Sequence, residues 1–425
     1  VFVSAGEASG DAYGDALISA LRERMPGAIF TGLGGVQMER AGQHRVVRAE
    51  DVAVMGVTEI LRHVPRIYAS YRRLVRSIKR ERPDVAVLID FPDVNFRLAK
   101  HLHKAGVPVI WFVSPQLWAW KRRRLRWVRE RVDKMLVIFP FEEAFYRERG
   151  VDAEFVGHPL AALPAVTGSR EAYAERYGLD PEKTWIALLP GSRWKEIRAN
   201  LPELHALAMS DLINGSAAYT TFDGSTTRQP RDPAAYALYE FLLPVASTID
   251  AGALQRYIGD LNAEDLKYFG PEASTLRLTL VDDAREALTY ARASVVASGT
   301  ATVLAAIVGN PFVLVYRVSG LTFALARKLV EYPEEFPIKR DLDGNLPVGM
   351  VNLIAGRRVV PELLQGRFSA ENVAALLGPL LADGPEREKQ VAALAEVRAA
   401  LNLGGSPISR VADSVLSLLD SSVAR

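Results

Sequence analysis

Short apolar runs alternate with stretches of helical periodicity along almost the whole chain. Residues 1–4, 28–31, 85–89, 109–113 and 135–139 are brief, apolar, mostly β-branched segments bounded by Pro, Gly or Asp, the mark of parallel strands buried on both faces. Helical segments fall between them, the first from about Asp11 to Arg24. This alternation predicts an α/β fold, a doubly wound domain whose ligands bind outside the carboxyl ends of the strands. A second such unit starts near Thr184 with a strand over 185–189, a turn at Pro190-Gly191-Ser192-Arg193 and a helix from Trp194. Further strands are predicted over 240–243, 276–280, 294–297 and 311–316, and the chain reads as helical from about Ser369 to its end, including 408–419. The Pro- and Ala-containing stretch 159–170 reads as the linker. Two stretches, 214–232 and 332–347, break the rhythm and look like surface excursions inserted into the second unit.

Composition narrows the class. The 425 residues are 49% hydrophobic and 24% charged with no cysteine, which excludes global disorder, a disulfide framework, a thiolate metal site and a cysteine nucleophile. No apolar run approaches the ~20 residues that span a bilayer. The first strand-like segment begins at Val1 with no secretory signal visible, and a cytoplasmic location is the expectation. The net charge of +2 conceals an asymmetry: residues 1–150 carry 26 Lys and Arg against 17 Asp and Glu, or +9, and the remainder carries 26 against 33, or −7. Such a split suggests that one domain faces an anionic surface or ligand, the plainer alternative being chance plus solvated helix faces.

Four segments can carry chemistry. Between the first strand and first helix lies Ser4-Ala5-Gly6-Glu7-Ala8-Ser9-Gly10-Asp11, where glycines admit close backbone approach and a helix N-terminus offers unpaired amides. Its spacing is neither GxGxxG nor a P-loop. A plain glycine turn with Asp11 or Ser9 capping the helix is the simpler reading, but it leaves Glu7 at the strand's carboxyl end unexplained. Asp90 likewise ends a buried strand, where it faces the ligand crevice and suits a general base, while Asp93 or Asn95 would more naturally cap the helix after Pro92. Gly191, Ser192 and Arg193 follow the first strand of the second unit, and Ser298, Gly299 and Thr300 form a similar turn. Two such turns without a Walker lysine favour a nucleotide diphosphate held by backbone amides and a guanidinium.

The fourth feature is basic. Ile60, Leu61, Val64, Ile67, Tyr68, Tyr71, Leu74, Val75 and Ile78 form a helical stripe interrupted only by Pro65, with Arg62, Arg66, Arg72, Arg73 and Arg76 around it. A second cluster joins Trp118, Trp120 and Trp127 to Lys121, Arg122, Arg123, Arg124 and Arg126. Basic residues interleaved with tryptophan suit an anionic lipid interface, and also nucleic acid; the plainer alternative packs the stripe on the sheet with its arginines solvated. The expected membrane-facing set is Ile60, Leu61, Val64, Arg66, Ile67, Arg73, Trp120, Arg122 and Arg123. The six histidines form no metal constellation, only His158 lies near the expected crevice, and no serine has the GxSxG context of a hydrolase.

Together these motifs resemble the lipid-A-disaccharide synthases. The matching segments are SAGEASGD at 4–11, VMGV at 54–57, IDFPD at 89–93, VSPQLWAW at 113–120, GHP at 157–159, LLPGSR at 188–193, ASGTAT at 297–302, VNLI at 351–354 and PELLQ at 361–365. They fall in family order over about residues 1–380. The resemblance implies two Rossmann-like domains facing a cleft (a GT-B-like fold), residues 1–165 and 166–405, with a last helix at about 406–425 packing back on the first. It implies an inverting, metal-independent transfer, with no cofactor, from UDP-2,3-diacylglucosamine to the 6-hydroxyl of 2,3-diacylglucosamine 1-phosphate. Asp90 is then the candidate base and Glu7 a neighbouring carboxylate, with Gly6 and Ser9 beside them. Gly191, Ser192, Arg193, Ser298, Gly299, Thr300, Asn352, Glu362 and Gln365 would line the nucleotide side. A peripheral protein of the inner membrane's cytoplasmic face is implied, with anionic phospholipid and no nucleic acid as partner; a homodimer stays open. Two other readings stand beside this one: another UDP-sugar enzyme of the same architecture, such as a peptidoglycan N-acetylglucosaminyltransferase or a UDP-sugar 2-epimerase, and an inactive nucleotide-sugar-binding, membrane-docking protein. SAGEASGD and VSPQLWAW argue against the first, and joint retention of Glu7, Asp90 and Arg193 against the second.

Overall fold

The computed structural model describes residues 1–51, 57–209, 218–220, 226–228, 238–269, 278–333, 336 and 338–423. The chain divides into two compact units: Val1–Leu163 with Val330–Glu335 and Leu401–Arg425, and Pro164–Leu329 with Phe336–Ala400.

Unit 1 is a seven-stranded, wholly parallel sheet: β1 (Phe2–Ala5), β2 (Phe30–Gly34), β3 (Gln43–Arg48), β4 (Ala86–Ile89), β5 (Val109–Phe112), β6 (Lys134–Val137) and β7 (Ala153–Phe155), in the order β3-β2-β1-β4-β5-β6-β7. Its helices are α1 (Ala8–Arg24), α2 (Val36–Arg40), α3 (Val57–Glu81), α4 (Pro92–Lys104), α5 (Leu125–Arg131) and α6 (Pro140–Arg147). Strands β1, β4 and β5 are buried at every position, which is why they read as unbroken apolar runs. The strand order reverses between β1 and β4, so the carboxyl ends of these two strands flank the crevice where such sheets bind ligands. Strand β2 runs on to Gly34, past the expected end at 31, because its glycines build it: Gly32 has φ +143°, and a Cβ there would stand 2.1 Å from the Val3 carbonyl oxygen. The chain's last helix, Pro407–Val423, belongs to this unit, where its Val411, Ala412 and Val415 join Leu17, Ile18 and Leu21 of α1 in one core. Each fully buried Val, Leu or Ile side chain contributes ~1.5–3 kcal/mol.

Unit 2 repeats the plan. After α7 (Arg170–Tyr177), strands β8 (Thr184–Leu189), β11 (Tyr239–Pro244), β12 (Leu278–Val281), β13 (Ala293–Ala297), β14 (Phe312–Tyr316) and β15 (Glu362–Leu364) form a parallel sheet in the order β12-β11-β8-β13-β14-β15. A separate antiparallel pair joins β9 (Ala218–Thr220) to β10 (Thr226–Arg228). The helices are α8 (Trp194–Met209), α9 (Ala251–Phe269), α10 (Ala284–Tyr290), α11 (Thr300–Val308), α12 (Gly320–Leu329), α13 (Met350–Ala355), α14 (Ala370–Leu381) and α15 (Pro385–Leu401). Here the order reverses between β8 and β13. The expected excursion at 214–232 lies mostly outside the described residues. The expected excursion at 332–347 is not wholly a decoration of unit 2, since its start returns to unit 1: Tyr332 packs its ring 5.5 Å from Trp118, and the Glu331 amide donates to the Ala119 carbonyl. Among the described residues no helix is long and apolar enough to cross a membrane.

Candidate active site

At the reversal point of unit 1, β1 delivers Gly6 and Glu7 and β4 delivers Asp90. Ala5 and Ile89 are register partners, so the two carboxylates leave neighbouring strand ends. Gly6 is glycine because the Phe91 ring lies against it; a Cβ would come within 2.4 Å of that ring. Asp90 and Phe91 both lie in the left-handed region, at φ +45° and +47°. Two successive non-glycine residues there store strain of order 1–3 kcal/mol each, a feature that clusters at functional sites. Asn95 holds the turn closed. Fully buried, it accepts from Ser4 Oγ at 2.7 Å and donates to the carbonyls of Asp90 at 2.7 Å and Ile89 at 3.2 Å. The brace thus ties the exit of β4 to β1.

Burial pushes the Asp90 carboxyl up to about 6, the negative charge of Glu7 adds to the rise, and the Phe91 amide pulls the other way. A base with its pKa near neutrality is matched to abstracting a proton from an alcohol. Tyr13 faces the same place: burial pushes its phenol up to about 12, with the Asp90 charge second, so it stays protonated at neutral pH. Asp11 does not cap its own helix. Its carboxylate accepts from the amides of Gly35 at 2.8 Å, Gln37 at 3.0 Å and Met38 at 3.2 Å, capping α2. Ser9 is exposed and Glu7 occupies the N-cap position of α1. His158 is structural: it is buried, its Nδ1 accepts from the Leu160 amide, and burial pushes its pKa down to about 4.

The 113–120 loop is organised by a buried acid that sequence reasoning missed. Glu142 Oε1 accepts from Ser114 Oγ at 2.7 Å and Trp118 Nε1 at 3.1 Å, and Oε2 from the Phe139 amide at 3.3 Å. Burial pushes its carboxyl up to about 7. Beyond this loop Trp120 is 44% exposed, with Lys121 Nζ 3.9 Å over its ring, and Arg123 is exposed. Arg122 is instead half-buried and donates to the Glu331 carbonyl. In α3 the stripe divides. Leu74 and Ile78 are core residues, Ile67 is half-buried, and Tyr68, Arg66 and Arg73 are exposed, Arg66 pairing with Asp51. The side chains of Ile60, Leu61 and Val64, and most of the 54–57 segment, lie outside the described residues.

In unit 2 the two glycine turns flank the reversal point. Gly191 has φ +126°, and a Cβ there would strike Glu196 at 2.5 Å. Glu196 folds back as the third residue of α8, accepting from the amides of Ser192 at 2.9 Å and Arg193 at 3.3 Å, half of a capping box. The Arg193 guanidinium is two-thirds exposed and 3.6 Å from Glu196 Oε1. Across the reversal point Gly299, at φ +148°, opens α11 with no side-chain cap, Thr300 is exposed and Ser298 half-buried. The start of this nine-residue helix thus carries no side-chain cap, and amides so placed are the kind that can receive an anion. Asn352, Glu362 and Gln365 are used differently. Asn352 donates to the Val360 carbonyl and Glu362 Oε1 and accepts from the Val359 and Val360 amides, leaving no free valence. Glu362, its side chain 1% exposed, also accepts from the Val348 and Gly349 amides and from Arg358. Gln365 bridges the amide and carbonyl of Val318. These three fasten loops beyond β14 and β15 and spend their bonds on the chain itself. Among the described residues no group of three or more His, Asp or Glu side chains is placed to hold a metal ion.

The family model described as lipid-A-disaccharide synthetase matches residues 1–215 and 264–413. The chain is 50% identical over 415 residues to the lipid-A-disaccharide synthase of Acidobacterium capsulatum, covering 97% of this chain and 94% of that one. It is 47% identical over 422 residues to that of Koribacter versatilis, covering 98% of each. The chain belongs to the lipid-A-disaccharide synthase family. Its members are glycosyltransferases, and the solved structures agree on the fold. The glycosyltransferase of kitacinnamycin superposes with a TM-score of 0.59 at 13% identity, covering 98% of each chain. Staphylococcus aureus MnaA, solved with UDP, superposes with a TM-score of 0.58 at 12% identity, covering 99% of this chain and 96% of that one. The architecture of this lipid-A-disaccharide synthase family member is thus two parallel-sheet domains of the GT-B type.

Sequence reasoning placed Glu7, Asp90, Arg193 and the two turns at strand ends, and the structure brings them to the two reversal points. It missed Tyr13, Glu142 and Glu196, and it read Asn95 only as a helix cap. A signal existed for Asn95, a polar residue on the otherwise apolar inward face of an amphipathic helix.

Proposed function

We propose that the protein joins two acylated glucosamine units. The 6-hydroxyl of 2,3-diacylglucosamine 1-phosphate attacks the anomeric carbon of UDP-2,3-diacylglucosamine from the face opposite UDP. The O6–C1 bond forms as the bond from C1 to the diphosphate oxygen breaks, the electron pair leaves with UDP, and Asp90 takes the hydroxyl proton. The product is the β-1,6-linked disaccharide 1-phosphate. The observation that carries the reading is Asp90, held in a strained turn at the strand-order reversal beside Glu7 with its pKa raised to about 6. In unit 2, Arg193 and the open amides of α11 stabilise the charge developing on UDP, so the chemistry runs without a divalent ion. Asn352, Glu362 and Gln365 act on the nucleotide through the loops they hold. The exposed Tyr68 and Trp120, with Arg66, Arg73 and Arg123, support docking on the anionic cytoplasmic face of the inner membrane, from which both acylated substrates are drawn.

Asp90→Asn tests the catalytic assignment. Turnover is lost while UDP affinity stays near that of the wild type; an active Asp90→Asn protein removes Asp90 as base. For docking, co-sedimentation with anionic vesicles weakens as salt rises, and equal binding to neutral vesicles contradicts it.

A further inference from the structure

Unit 1 carries a groove of about 480 Å³ between α3, α4 and α5, separate from the carboxylate pair. Its lining includes Pro92 and Asp93 in the first turn of α4, directly after the Asp90–Phe91 turn, and extends along α4 to His101, a rise of ~12 Å. The floor is aromatic: the Phe96 ring packs 4.6 Å from Trp111 and 5.7 Å from Trp127. On one wall the Tyr71 hydroxyl is bonded to His101 Nε2 at 2.9 Å.

The polar lining is strongly one-signed. Arg97, Lys100, Arg124 and Arg131 face a single lining carboxylate, Asp93. Arg124 is pinned by Asp93 at 3.0 Å and sits over the Phe96 and Trp127 rings, which fixes its planar fork. Arg131 is paired with Glu130. Among the described residues Arg97 and Lys100, both exposed, have no carboxylate partner. The local field shows on His101, whose pKa is lowered by burial and then by Lys79, Lys100 and Lys104. An arginine fork beside further cations is suited to phosphate, and aromatic faces suit the apolar side of a sugar ring. The volume fits a phosphorylated sugar and is too small for a macromolecule.

We infer that this groove binds the sugar phosphate of the glycosyl acceptor, with Arg97, Lys100 and Arg124 as its phosphate ligands. The inference rests on the acceptor proposed above and deepens it. Because the groove's lining begins at Pro92, two residues after Asp90, a phosphate anchored in it fixes which end of the acceptor reaches the base. The cations then select phosphorylated acceptors rather than merely attracting the protein to a charged surface.

The test uses the full chain with short-acyl 2,3-diacylglucosamine 1-phosphate and its dephosphorylated counterpart. Arg97→Gln/Lys100→Gln, both at exposed positions, raises the acceptor KM about 10- to 100-fold, as expected for losing one or two charge-assisted bonds. It leaves the donor KM unchanged and erases the preference for the phosphorylated acceptor, a ratio that a merely structural role does not move. An unchanged acceptor KM overturns the inference. So does loss of binding to phosphatidylglycerol vesicles with the acceptor KM intact, since the groove then serves a phospholipid headgroup. Should the wild type form no disaccharide, binding is read without turnover from tryptophan fluorescence, with Trp127→Phe as control. Saturable quenching by the phosphorylated probe, lost in the double variant, upholds the groove, and no quenching refutes it.

Discussion

Replacing Asn95 with alanine removes the brace from the turn that carries Asp90. Its three short side-chain bonds go with it, to Ser4 Oγ at 2.7 Å, to the Asp90 carbonyl at 2.7 Å and to the Ile89 carbonyl at 3.2 Å. At about 1 kcal/mol apiece the direct loss is ~3 kcal/mol. Part of it returns, because Asp90 and Phe91 at φ +45° and +47° are then free to relax, each releasing of order 1 kcal/mol. Unit 1 is therefore expected to lose only ~1 kcal/mol of stability and remain folded. The relaxed turn carries the carboxylate away from its working position, and a displacement of ~1 Å lowers a rate on the order of 100-fold. The prediction is a kcat lower by about 100-fold, with UDP affinity unchanged and a small shift of the urea midpoint. Initial rates of disaccharide formation and urea titration followed by tryptophan fluorescence measure the two quantities on one preparation. An Asn95→Ala protein that keeps about a third or more of the wild-type kcat refutes the reasoning, as does a loss of activity that merely tracks the unfolded fraction.

Three further outcomes follow from the same geometry. Acting as a base, Asp90 must be ionised, so kcat/KM rises with pH to a plateau above about 6; Glu7→Gln moves that midpoint downward by removing a like charge, while the larger rise due to burial remains. The raised pKa also means that ionising Asp90 disfavours the folded state, an effect absent below the ordinary carboxylate range of about 4 and complete above about 6. Asp90→Asn, tolerated at positive φ, is thus expected to be inactive yet more stable than the wild type by about 1–3 kcal/mol at pH 7 and not at pH 3, as read by chemical denaturation at both pH values. Arg193→Ala weakens UDP binding about 10- to 100-fold with the acceptor KM unchanged, as measured by calorimetric titration with UDP and by initial rates.

How much of this was legible in the sequence depends on where each residue sits. Strands such as Ala86–Ile89, buried at every position, announce themselves because nothing polar is tolerated on either face. Of the five strands that escaped notice, β9 and β10 form their own short pair and β3, β7 and β15 are edge strands; β3 carries His44, Arg45 and Arg48, so alternation with charge hid it. Carboxylates at strand ends pointed to Glu7 and Asp90. The left-handed turn at Asp90 was not readable, because Asn95, which bonds the Asp90 and Ile89 carbonyls, is itself anchored on Ser4, ninety-one positions away. The stripe over 60–78 shows the opposite ambiguity. Its period is the same for a helix face in a core and for one on a membrane, and only burial separates Leu74 and Ile78 from the exposed Tyr68. Asn352 and Glu362 entered the expected nucleotide set through a family motif, and motif membership does not distinguish a side chain that meets the ligand from one that holds the loop that does.

The most direct test of the central claim is a product assay by mass with purified full-length protein, UDP-2,3-diacylglucosamine, 2,3-diacylglucosamine 1-phosphate and a chelator in excess. The account predicts disaccharide 1-phosphate and UDP in equal amounts with the wild type and neither with Asp90→Asn. Release of UDP without disaccharide, or a product that forms equally well in the Asp90→Asn protein, contradicts it.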